Sequence, residues 1–172
     1  MPDEKQKFTI EEIKQIPPQM LMRLLNRMKA ELKKNPIMQR IFEEYDTDIS
    51  ELDLVPMCFA DIDVSAKCDH GVLYFNYKLL CDGDFEKDYS YAIHETTHWL
   101  QQCSGDKPTK SADDGEYLNN PYEIEGFQNQ VEYLADEYGE REAEKYVDKL
   151  LDHHELEGQK AEKKKDELLD QV

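Results

Sequence analysis

The run His94-Glu95-Thr96-Thr97-His98 constrains this chain more than any other feature, because two histidines four residues apart meet at one point only if the backbone between them is an α-helix. An H-E-x-x-H segment on a helix sends both imidazoles to one metal ion and sets the intervening glutamate, Glu95, beside it as a base. The surrounding residues agree with a helix. Asp84 is a candidate N-cap, Glu86 and Asp88 put negative charge in the first turn, and the regular helix reads from Ser90 to Cys103. Tyr91, Ile93, Trp99 and Leu100 give it apolar surface to pack against a core, so the histidines would be anchored.

A second helix, entered through Asn119-Asn120-Pro121, carries Glu123 and Glu125, either of which is available as a third ligand. Asn129 lies one turn beyond Glu125. A catalytic zinc site keeps one of four tetrahedral positions open beside three protein ligands, so two histidines and one glutamate complete the protein's share.

Residues 84 to 138 resemble the gluzincin side of the zincin metallopeptidases, whose signature is H-E-x-x-H followed by a helix that supplies a glutamate. The resemblance implies Zn2+ held by His94, His98 and Glu125. Glu125 is preferred because the ligand glutamate in such families often precedes a small residue, here Gly126, and Glu123 is the alternative. Asn129 would orient a ligand histidine through its other ring nitrogen. Many relatives have Asp there, and Asn would leave the imidazole a weaker ligand and the rate modest. The implied reaction is peptide-bond hydrolysis by a zinc metalloendopeptidase, with Glu95 as general base on a zinc-bound water and then as proton donor to the leaving amine. Tyr117, Tyr122 and Tyr133 flank the third-ligand region, and none of them stands out as the extra donor for the tetrahedral intermediate. The resemblance also implies a small antiparallel sheet ahead of the motif helix, with Val72 to Leu79 as an edge strand that takes extended substrate by strand addition.

The remaining patterns predict one α+β domain over residues 1–172, mostly helical, with a small antiparallel β-hairpin before the motif helix. Residues 1–52 read as N-terminal helices: Leu21, Leu24, Leu25, Met28 and Leu32 recur at helical spacing up to Asn35-Pro36, and a shorter helix follows from Ile37 to Tyr45. Residues 53–80 read as a hairpin of Leu54 to Val64 with Val72 to Tyr77, joined by a turn at Lys67 to Gly71 with His70 exposed in it. The motif helix takes residues 84–103, and Ser104 to Asn120 form a rim loop. The third-ligand helix runs over 120–151 with an interruption at Gly139, leaving 155–172 as a flexible or helical tail and His153 and His154 facing solvent.

Charge limits the partners. The chain has a net charge of −18, and residues 53–130 hold fifteen Asp and Glu against five Lys and no Arg. This argues against nucleic acid held through its phosphates and leans toward a basic polypeptide substrate. Met1 to Lys7 lack an apolar stretch and no run of about twenty apolar residues occurs, so neither export nor a membrane span is expected and the setting is cytoplasmic. Cys58, Cys68, Cys81 and Cys103 then read as reduced thiols. Two other readings remain open, a catalytically inactive zinc-binding interaction module on the same fold and an acidic helical binding protein without metal.

Overall fold

The computed structural model describes residues 7–105 and 117–172. Within them the helix starts follow local capping chemistry. Thr9 and Glu12 cap α1 (Ile10–Lys14) reciprocally, the Glu12 N–H donating to Thr9 Oγ1 at 3.1 Å and the Thr9 N–H to Glu12 Oε1 at 3.3 Å. α2 (Pro18–Lys33) opens on a proline, whose missing N–H costs nothing at a first helical position. Asn35 then stops α2 and starts α3 (Pro36–Glu44), its Oδ1 accepting the N–H groups of Ile37 and Met38. The predicted stripe on α2 faces inward: Leu25, Met28 and Leu32 are buried, with Leu21 and Leu24 packed at the edge of the core. Met28 and Met38 fill that core, whereas Met20 and Met22 are exposed.

The sheet departs from the sequence expectation. β1 (Met57–Ala60), β2 (Ala66–Asp69) and β3 (Val72–Asn76) lie in the order β1-β3-β2, with β1 parallel and β2 antiparallel to β3. The sheet is therefore mixed rather than antiparallel. Lys67, Cys68 and Asp69, expected in a turn, are strand residues facing Tyr74, Leu73 and Val72. Only His70 and Gly71 make the turn, at φ of 49° and 77°, since a tight two-residue hairpin needs positive φ at both positions. Met57–Ala60 crosses to the far side of β3, which makes β3 the central strand and leaves β2 as the edge strand packed on the motif helix. The Asn76 side chain ties down the intervening connector, donating to Ile62 O at 2.6 Å and Val64 O at 3.0 Å.

A 3-10 turn (Phe85–Asp88) leads into α4 (Tyr89–Cys103), the motif helix. α4 is buried between two cores. On one side are α2, α3 and the sheet, with Phe42, Phe75, Ile93 and Leu100 among the fully buried side chains, each contributing about 2 kcal/mol by burial. On the other side α5 (Pro121–Tyr138), α6 (Glu140–His153) and α7 (Gly158–Leu168) enclose Phe127, Val131, Val147 and Leu168. Gly139, at φ 99°, breaks the long C-terminal pattern into α5 and α6. The expected tail is for the most part the packed helix α7. Leu168 is fully buried, and Lys164 donates to Leu118 O and to Glu167 at 2.8 Å each. The four cysteines are unbridged. Among the described residues no helix is long and apolar enough to cross a membrane.

Candidate metal centre

His94 and His98 project from one face of α4, with their Nε2 atoms 3.1 Å apart. α5 brings a carboxylate to meet them. Glu123 Oε1 lies 2.5 Å from His98 Nε2, and Glu123 Oε2 lies 3.6 Å from His94 Nε2. The three side chains offer ligand atoms within 4.8 Å of one another, a group that can hold a metal ion.

The third member is thus Glu123 and not Glu125, and helix geometry gives the reason. Asn120 caps α5 through the Tyr122 N–H, so positions 123, 126, 127 and 130 form the face toward the two histidines, while 125, 129 and 132 form the next face, toward α3. Glu125 accepts from Tyr45 Oη at 2.5 Å and from Gln101 Nε2 at 3.1 Å. Gly126, the small residue that suggested Glu125, serves the Glu123 face instead. A Cβ there would lie 3.0 to 3.1 Å from the ring of His94. Phe127 closes the adjoining side of that ring at 4.5 Å between centroids.

Asn129 does not orient an imidazole. Its Nδ2 donates to Thr97 Oγ1 at 3.1 Å and its Oδ1 accepts from Arg40 at 3.2 Å, so it joins α5 to α4 and α3. The residue on the other ring nitrogen of a histidine is Gln101, whose Oε1 is 2.8 Å from His98 Nδ1. Gln101 Nε2 faces two acceptors, Tyr122 O and Glu125 Oε2, at 3.1 Å each, and this fixes which end of the amide points where. Gln101 Oε1 must then accept from His98 Nδ1–H, which turns Nε2 toward the ligand group as the atom that a proton or a metal ion would share with Glu123. Gln101 follows His98 by three residues on one helix, a spacing visible in the sequence, but nothing in the sequence marked it from other polar helix residues.

The electrostatics fit a cation. Burial works against a charged His98, yet the Glu123 carboxylate outweighs it and, with Glu95, holds the imidazolium pKa up to about 9. Burial likewise works against the Glu123 carboxylate, and the His94 and His98 imidazoles hold it well below the ordinary range. Glu123 Oε2 is buried without a hydrogen-bond partner among the described residues, 3.6 Å from His94 Nε2. Lone pairs converging in a buried space are costly unless a proton or a metal ion takes them up. Glu95 stands next to this group without joining it. Burial pushes its carboxyl above the ordinary range, the two imidazoles pull it back, and Glu123 adds to the rise.

The group opens into a cleft of about 820 Å³ that His94 and Glu95 line together with Tyr91, Tyr117, Gln130 and Tyr146. Tyr117 stacks on His154 with ring centroids 5.2 Å apart, and its hydroxyl lies within the field of the Glu123 carboxylate. Burial and the neighbouring Glu123 and Glu95 push its hydroxyl far above the usual tyrosine range, so Tyr117 keeps its proton. His153 is exposed, as expected, whereas His154 is half-buried; both lie on the wall of this cleft at the end of α6. Of the other flanking tyrosines, Tyr133 is buried in the first core and Tyr122 contributes its carbonyl to Gln101. His70 is exposed in its turn and pairs with Asp69 at 2.7 Å. The middle of the expected rim loop, residues 106–116, lies outside the described residues. No protein-family model, curated protein or solved structure matches the chain.

Proposed function

We propose that this chain is a zinc-dependent metallopeptidase of the zincin type, in which His94, His98 and Glu123 hold the metal and Glu95 is the general base. The observation that carries this reading is the position of Glu95. It is buried beside the ligand group, is not part of it, and lines the same open cleft as His94. A site that only held a metal for stability would need no such carboxylate. When bound, zinc supplies a Lewis acid that polarises a carbonyl and brings the pKa of its water toward about 7.

The remaining work falls to the chain's own residues. Glu95, with its proton affinity raised by burial, accepts the proton of the attacking water and returns it to the leaving amine nitrogen. Tyr117, protonated and on the cleft wall, offers its hydroxyl to the negative charge that develops on the scissile carbonyl. Val64, Ser65 and Ala66 form part of the cleft wall where β2 begins, so an edge strand rather than the central β3 is available to an extended polypeptide.

The test is metal content by elemental mass spectrometry together with hydrolysis of a mixed peptide library. We expect one zinc per chain, lost in His94→Ala/His98→Ala, and in Glu95→Gln we expect retained zinc with hydrolysis abolished. Zinc without hydrolysis in the wild type would favour a binding module, and absence of zinc uptake would remove the metallopeptidase reading altogether.

A further inference from the structure

The chain-wide charge favours basic substrates, but the lining of the cleft is not acidic: it carries two lysines against two carboxylates, one of them the general base Glu95. α6 carries five carboxylates, Glu140, Glu142, Glu144, Asp148 and Asp152, and none of them lines the cleft. The face it turns there is Tyr146, Lys149, Leu150 and His153, spaced i, i+3, i+4, i+7, with His154 following. Lys78 also lines the cleft, from the segment that follows β3. Lys78 and Lys149 are exposed, and among the described residues neither is in an ion pair. The acidic lining residues are Asp63 and Glu95, and Glu95 is already assigned to the reaction.

Resting on the metallopeptidase reading, we propose that the substrate segment bound in this cleft carries a carboxylate beside the cleaved bond. Screening decides between the two charge scales. At physiological ionic strength the Debye length is about 8 Å, so the dispersed surface carboxylates are largely masked from bound substrate, while a lysine at contact distance is not. One such contact near the surface is worth about fivefold in affinity, and the two lysines together exceed tenfold. The carboxylate can come from an Asp or Glu side chain or from a free C-terminus, since both present the same group to an ammonium.

The experiment uses internally quenched alanine-based peptides with Glu, Gln or Lys next to the central bond, each made with a free and with an amidated C-terminus. On the zinc-loaded chain we expect kcat/KM for Glu peptides to exceed that for Lys peptides at least tenfold, with Gln between them. Lys78→Glu/Lys149→Glu should abolish or reverse the order, and 0.5 M NaCl should shrink it. A preference that survives amidation assigns the side chain as the source, and one that vanishes on amidation assigns the C-terminus. Equal or faster cleavage of Lys peptides, or an unchanged order in the double variant, overturns the proposal. If no peptide is cleaved, the metallopeptidase reading fails, and anisotropy of dye-labelled versions of the same peptides still decides the charge preference. Tighter binding of Glu peptides that is lost in the double variant upholds it, and any other binding result overturns it.

Discussion

Replacing Gly126 by alanine separates the needs of the helix from those of the metal centre. Gly126 is inside α5, where alanine would ordinarily gain about 1 kcal/mol in helix propensity. The added Cβ, however, would lie 3.0 Å from His94 Cε1 and 3.1 Å from both ring nitrogens, against an ordinary carbon contact of about 3.5 to 4.0 Å. Phe127 at 4.5 Å and His98 at 4.8 Å between centroids hem the ring on two sides and only 5% of His94 is exposed, so it can yield only by shifting out of the ligand position toward the cleft. Overpacking of this kind costs about 1 to 3 kcal/mol, so the net loss of stability should be about 0 to 2 kcal/mol. Metal binding should suffer more, because ligands must stay within about 0.5 Å of their working positions, and we expect zinc affinity to fall about tenfold to a hundredfold. Urea unfolding and zinc competition against a chelator measure the two quantities on one preparation. A stability change within that range with unaltered zinc affinity would refute the role given to Gly126.

Glu123→Ala should remove measurable zinc retention, whereas Glu125→Gln should keep zinc and lower its affinity by about tenfold through Gln101; equal losses by elemental analysis would contradict the ligand assignment. Burial, aided by Asp84 and Asp82, raises the Asp88 pKa to about 7. The folded state therefore holds this proton more tightly than the unfolded state, and stability falls as pH rises from about 4 to about 7. Asp88→Asn should gain about 2 kcal/mol in urea unfolding at pH 8 and almost nothing at pH 4, and a gain of the same size at both would refute the linkage. Lys164→Met should lower Tm by about 5 °C, since it leaves the buried Leu118 carbonyl unpaired; an unchanged Tm would mean that α7 does not brace the turn carrying Tyr117.

The parts of the site legible in the sequence are those that depend on neighbours along one helix. Two histidines four apart must share a face of α4, and the glutamate between them must lie beside that face, whatever packs around it. The breaks at Asn35, Asn120 and Gly139 were legible for a similar reason, because caps and positive φ are satisfied within a few residues. The sheet was less so. Whether Met57–Ala60 pairs with its successor in sequence or crosses to the far side of β3 depends on contacts between distant segments, and an apolar run looks the same in either place.

The choice between Glu123 and Glu125 belonged to tertiary structure, since it depends on how α5 is rotated against α4, and that rotation follows from burial of Phe127 and Val131 and from the close approach at Gly126. So did the partnership of Gln101 with His98, the turning of Tyr117 and His154 onto the cleft, and the placing of Lys149 rather than the acids of α6 on its wall. The sequence by itself determined which chemical groups one helix presents together, because backbone geometry sets the spacing of side chains along it. Only the tertiary structure decided which groups from other helices meet them, because that depends on the rotation and approach at which the buried faces close without a void.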